Sequence, residues 1–148
     1  SWLSRVTKPL ARQQDLILID CPPSLGFYTA NAFYAADEVI VPLQCEFLAY
    51  DALDQLFEVI QLVQEQRDGL PRIKGIVLTM YDKRISLTAE VEAAARERFG
   101  DLVFQTVIPR NVSVSEAAIG GKPVSQYKPN SSGALAYKAL AKEVMERG

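Results

Sequence analysis

The run Leu16-Ile17-Leu18-Ile19, closed by Asp20 and followed by Cys21-Pro22-Pro23, sets the architecture expected of this chain. Four consecutive apolar residues that stop at a carboxylate and two prolines have the length and composition of a strand buried on both faces. About one helix's length further on, Val39-Ile40-Val41-Pro42-Leu43 repeats the pattern, and Ile73 to Met80, with Gly75 among Ile76, Val77 and Leu78, repeats it again. A fourth run spans Leu102 to Val107 and ends before Pro109. Between these runs the apolar residues take helical spacing. Ser24 to Ala36 can hold a short helix capped by Ser24, and Leu53, Leu56, Phe57, Ile60 and Val63 share one face of a helix stopped at Asp68-Gly69-Leu70-Pro71. Leu87, Val91, Ala94, Ala95 and Phe99 line another that closes at Gly100, and Ser131-Ser132 caps a last one reaching about Glu146. Strands alternating with helices predict an α/β fold: a doubly wound, mostly parallel sheet with flanking helices. Residues 1–14 are expected to be a leader or linker, and residues 15–148 the domain.

Composition narrows the chemistry. With 148 residues, 49% hydrophobic, the chain can bury a core without disulfides or metal. It contains no histidine, which removes Ser-His-Asp catalysis and imidazole metal ligands. Cys21 and Cys45 have neither metal-ligand nor disulfide-framework spacing, and both are expected as reduced, buried thiols. No apolar run is long enough to span a membrane and the start lacks a secretory pattern, so a cytoplasmic protein is expected. The net charge of -2 conceals an asymmetry. Residues 1–14 hold three basic and no acidic groups, residues 15–108 seven and fifteen, and residues 109–148 six and three. Such ends allow a local anion-binding face but not a wholly basic nucleic-acid domain. Phe27, Tyr28, Phe33, Tyr34 and Phe47 sit beside apolar runs without interleaved Lys or Arg and are expected to pack in the core and the switch loop rather than form a stacking platform. Ser24 has no base beside it and is a cap, not a nucleophile.

In parallel sheets ligands sit beyond the carboxyl ends of the strands, which draws attention to Asp20, to 44–46, to 80–84 and to 108–111. A strand-terminal aspartate can hold Mg²⁺ through water, although the same device also caps helices and turns. The longer string Asp15-Leu-Ile-Leu-Ile-Asp20-Cys-Pro-Pro-Ser24-Leu-Gly26 resembles the Walker B and switch segment of the ParA/Soj family of partition ATPases, the P-loop group with a deviant Walker A motif. The likeness continues through Val41-Pro-Leu-Gln-Cys-Glu46-Phe-Leu-Ala, Gly75 to Arg84, Val107-Ile-Pro109-Arg110-Asn111-Val, Gly121-Lys122-Pro123-Val, and Ala136 to Val144.

The resemblance implies a role for each matching position. Asp20 would hold the Mg²⁺ shell through water, and Pro22, Pro23 and Gly26 would shape a γ-phosphate-sensing switch loop. Met80, Pro109, Arg110 and Asn111 would border the ATP base, and Arg84 with Lys83 would hold DNA phosphates. The often basic position after Asn-Val is Ser113 here, which thins that patch. The family's glycine-rich phosphate loop with its lysines has no counterpart, since Gly120-Gly121-Lys122-Pro123 has the wrong spacing. The resemblance is therefore to the C-terminal portion of a chromosome- or plasmid-partition ATPase. That parent would bind ATP and Mg²⁺, form a homodimer, bind DNA nonspecifically on the nucleoid and answer to a ParB-like partner. The chain alone would not turn over ATP. The alternatives are a non-catalytic regulatory or interaction fragment and a MinD-like positioning ATPase. The helix from Lys138, packed by Leu140 and Val144 with no appended amphipathic segment, speaks against the membrane attachment of the latter.

Overall fold

A computed structural model describes residues 1–46 and 49–147, with residues 49–51 described by their backbone alone. The chain folds as two compact units, Ser1–Val39 with Tyr50–Ile73 and Ile40–Ala49 with Lys74–Gly148. In order, the elements are α1 (Trp2–Leu10), α2 (Phe27–Ala35), β1 (Glu38–Gln44), α3 (Ala49–Gln64), β2 (Arg72–Thr79), α4 (Ser86–Phe99), α5 (Val112–Ile119), α6 (Val124–Tyr127) and α7 (Ser132–Glu146). β1 and β2 form a two-stranded sheet. Arg72 N–H donates to Asp37 O and Cys45 N–H to Thr79 O, so both strands advance together and the pairing is parallel. With α3 as the crossover this is a βαβ unit, the α/β architecture expected from the sequence.

In the first unit, Phe33 from α2 packs with Ile60 and Val63 from α3, and Tyr34, Leu56 and Phe57 surround them. The apolar spacing of α3 is what delivers Ile60 and Val63 to this face. Asp68 (φ 52°) and Gly69 (φ 86°) then turn the chain out of the helix through left-handed backbone. Arg67 Nη1 donates to Phe33 O and Ala36 O, satisfying carbonyls left open at the C-terminus of α2.

Several expectations change in this unit. Residues 1–14, expected as a leader, carry α1, capped by the Ser1 hydroxyl on Ser4 N–H, with Ser1 Oγ also donating to Asn31 O. Leu16 to Ile19 joins no ladder among the described residues, and Leu18 is 82% exposed. A strand exists only through its neighbours' hydrogen bonds, and composition cannot supply them. Gly26 rather than Ser24 occupies the cap position of α2. Phe27 and Tyr28, expected to pack in the core and the switch loop, are each 75% exposed and meet edge to face. Cys21 is exposed rather than buried. Phe47 lies outside the described residues. Because Leu18 packs on so little, Leu18→Ser is expected to change unfolding stability by less than about 0.5 kcal/mol in a urea titration, whereas a residue of a buried strand would cost several times more.

In the second unit, Ile76, Val77 and Leu78 of β2 are buried, and Val77 joins Phe104 and Ile108 in a cluster roofed by Ala136, Leu140 and Val144 of α7. The expected fourth strand, Leu102 to Val107, forms no ladder among the described residues and meets its neighbour at isolated points. Isolated parallel bridges join Ile76 to Val103 and Tyr81 to Pro109. Phe104 N–H reaches Ile76 O and Ile108 N–H reaches Leu78 O, so one side advances four residues while the other advances two. The excess bulges outward, and the Glu143 carboxylate of α7 accepts from its freed Gln105 and Thr106 N–H groups at 2.7 and 2.9 Å. Gly100 (φ 53°) ends α4, and the Ser131 hydroxyl caps α7 at Ala134 N–H, both as expected.

Candidate functional site

β2 delivers Met80 to its carboxyl end in left-handed backbone, φ 55°, which a side-chain-bearing residue rarely adopts. Tyr81 then locks the chain to the neighbouring segment. Its N–H donates to Ile108 O and its carbonyl accepts from Arg110 N–H. Its hydroxyl donates to Glu92 Oε2 at 2.6 Å, and Glu92 Oε1 accepts from Arg96 Nε at 2.9 Å. The hydrogen bond to Glu92 raises the Tyr81 phenol above its ordinary range, and the same bond lowers Glu92. Burial pushes the nearby Cys45 thiol up to about 11, Glu92 adding to the effect, so Cys45 is an inert packed thiol, as the sequence suggested.

The turn that follows is built on Asp82. Its Oδ1 accepts from Arg84 N–H at 3.0 Å and from Arg84 Nε at 2.9 Å, and its Oδ2 accepts from Arg84 Nη2 at 2.7 Å. The backbone bond makes an Asx turn, and the side-chain pair forms a two-pronged fork. The Arg84 fork holds the Asp82 carboxyl at about 2, so it is ionised throughout the physiological range. Arg110 Nη2 lies 3.7 Å from Glu46 Oε1, with both side chains more than half exposed, a weak and salt-sensitive pair.

Lys83, Arg84, Pro109 and Arg110 line one depression of about 510 Å³, together with Tyr81, Asp82 and Ser132. Four of the residues expected from sequence therefore come together in the second unit, with Met80 one position before the turn. Asn111 is committed elsewhere: its Oδ1 accepts from Ser113 N–H at the start of α5, and its Nδ2 donates to Ser132 Oγ at 2.7 Å. Asp20, Pro22, Pro23 and Gly26 belong to the first unit, on the exposed stretch leading into α2. Tyr81 and Asp82 lie within the stretch 80–84 that the sequence marks at a strand end, but it assigns them no role, and Glu92 is not singled out there. An aspartate two places before an arginine at a strand end is the signal that could have found Asp82, whereas the Tyr81–Glu92 bond exists only through packing.

Mg²⁺ takes six oxygen ligands, and a nucleotide's phosphates need backbone N–H groups plus a lysine. Of the residues that the resemblance points to, only Asp20 is assigned to the Mg²⁺ shell. No glycine-rich phosphate loop occurs in its sequence, and among the described residues no three carboxylates or thiols converge. These residues do not by themselves fit a complete Mg–nucleotide site, and no chemical step through one is assigned to them.

A family model described as an AAA domain matches residues 1–72. The sporulation initiation inhibitor protein Soj of Bacillus subtilis is 45% identical over 99% of the chain and 58% of its own length. The chromosome partitioning protein ParA of Caulobacter vibrioides is 52% identical over 88% of the chain and 49% of its own. The chain belongs to the ParA/Soj family. It spans about half the length of these curated ParA and Soj relatives. Among solved structures, the septum site-determining protein MinD of Pyrococcus horikoshii, complexed with Mg-ADP, aligns with a TM-score of 0.78 and 32% identity, covering 96% of this chain and 55% of MinD. Its likeness places the ParA/Soj chain in the P-loop NTPase fold, with parallel strands and flanking helices.

Proposed function

We propose that the chain acts in chromosome or plasmid partitioning as part of a ParA/Soj-like ATPase, contributing a DNA-holding surface from its second unit. In this reading ATP and Mg²⁺ drive a homodimer, the dimer holds duplex DNA through phosphates without reading its sequence, and a ParB-like partner stimulates hydrolysis. The protein is cytoplasmic and nucleoid-associated. Asp20 serves the Mg²⁺ shell through water, and Pro22, Pro23 and Gly26 form the switch. Met80, Pro109, Arg110 and Asn111 border the base, Asn111 by fixing the start of α5 rather than through a spare polar atom. Lys83 and Arg84 hold DNA.

The observation that carries this reading is the presence of Lys83 and Arg84 side by side on one open depression just beyond the carboxyl end of β2. Lys83 and Arg84 face Asp82 there, and Arg110 beside them faces Glu46, which leaves a net positive charge to attract a phosphate backbone. The test is titration of a fluorescent duplex with the 148-residue chain over a salt series. Binding is expected to weaken with salt at a log–log slope of about -2 to -3, from about 0.9 per phosphate contact, and Arg84→Ala to reduce that slope by about one. Salt-independent binding, or none at low salt, overturns the DNA-holding role. A MinD-like positioning ATPase is the second reading, favoured by the likeness to MinD. Retention of the chain on anionic vesicles with no affinity for duplex would select it.

A further inference from the structure

Asp82 presents an electrostatic contradiction: a carboxylate ionised at all physiological pH values sits in the middle of a surface read as binding phosphate. Counted as charge alone, it should weaken that surface. The geometry assigns it the opposite effect. We propose that Asp82 is the positioning residue that presents Arg84 to duplex DNA, an inference that rests on the reading of Arg84 as a phosphate contact.

The division of exposure within the pair supports this. The Asp82 side chain is only 12% exposed and the Arg84 side chain 88%, so the carboxylate is the anchored partner and the guanidinium the displayed one. Asp82 uses both oxygens on one edge of Arg84, taking Nε and one N–H of Nη2. That leaves both N–H groups of Nη1 and the second of Nη2, which form the other edge of the guanidinium plane. An arginine so held still offers a complete fork to a phosphate. Its flexible stem would otherwise sample many rotamers, and the entropy of fixing it would be lost on each binding event. Asp82 removes part of that loss in advance, and its Asx turn fixes the backbone of Arg84 by the same oxygen. Lys83, lining the same depression, adds a second positive charge beside Arg84.

Positioning and simple charge predict opposite signs, which makes the assignment testable. The 148-residue chain and its Arg84→Ala, Asp82→Ala, Asp82→Asn and doubly substituted Asp82→Ala/Arg84→Ala forms would be titrated against one duplex by fluorescence anisotropy across a salt series. Far-ultraviolet circular dichroism would check folding. Asp82→Ala is expected to weaken binding about fivefold, the scale of one charge-assisted hydrogen bond, and to flatten the salt slope by about one as Arg84→Ala does. The double substitution should bind no more weakly than Arg84→Ala, the mark of two residues acting as one unit. Asp82→Asn keeps the Oδ1 acceptor and loses Oδ2 to an amide, so about a twofold loss is expected, and it decides the matter should Asp82→Ala fail to fold. Tighter or unchanged binding by either Asp82 form, with Arg84→Ala still weakened, shows Asp82 to be a countercharge only and overturns the proposal. An Arg84→Ala form that binds like the unsubstituted chain removes the phosphate-contact reading itself, and the role of Asp82 with it.

Discussion

Glu143→Ala is expected to lower the stability of the second unit by about 3 kcal/mol, the cost of stranding several hydrogen-bonded groups at once. Glu143 accepts from the N–H groups of Gln105 and Thr106 and from Arg147 Nη2. Arg147 in turn donates to the carbonyls of Lys74, Leu102 and Val103 and lies 4.0 Å over the Phe104 ring. One carboxylate thus holds both the bulge in the strand-like segment and the arginine that ties that segment to β2. Removing it leaves two freed N–H groups and a cation whose side chain is only 22% exposed. Urea unfolding should show a midpoint lower by about 1–2 M, and the Gln105 and Thr106 amides should exchange faster. A midpoint change of less than a few tenths molar would show that water replaces Glu143 at little cost.

The same residue has a pH signature. Burial would raise its carboxyl, but the hydrogen bonds from Gln105, Thr106 and Arg147 outweigh it and hold it below the ordinary 4.5. Its stabilising contribution is therefore complete at neutral pH and is lost as the pH falls below about 4.5 through the lower folded value. Glu143→Gln should flatten that acid limb without altering the trend above pH 6.

Gly75→Val is expected to be comparably damaging, about 3 kcal/mol or more, by overpacking. A Cβ at position 75 would lie 2.5 Å from Phe104 Cε2 and 2.9 Å from both Leu102 O and Arg147 Nη1. Phe104 is fully buried and the carbonyl is backbone, so neither can retreat without moving the segment that Glu143 and Arg147 hold. Gly75→Ala should cost about 1–3 kcal/mol in the same urea assay. An alanine form as stable as glycine would mean that the strand-like segment shifts freely, and would also undercut the effect expected for Glu143→Ala.

Gly75 shows how much of the fold could be read in advance. A glycine inside a Val/Ile/Leu run marks a close backbone approach, and its sequence position announced one without naming the partner. β1, β2, α3, α4 and α7 were legible because each carries its own periodicity and stop signals, such as Asp68-Gly69 and Ser131. Leu16 to Ile19 has the composition of a strand and joins no ladder among the described residues, because a strand is a relation between segments and not a property of one. The short helix α5 went unread because Asn111, its cap, was read for another task.

For the candidate site the division follows the same physical line. The sequence by itself determined which chemistries are available: no imidazole, no phosphate loop within these residues, and cations at Lys83, Arg84 and Arg110. It also determined the family, because spaced blocks of residue types survive without coordinates. Only the tertiary structure decided that positions 80–84 and 109–110 meet, through the bridge between Tyr81 and Pro109. It alone turned Asp82 toward Arg84 and took up both polar atoms of Asn111. Local sequence sets which groups a segment can offer, whereas the hydrogen-bonding partner of each group depends on chain distant in sequence that only folding brings within 3 Å.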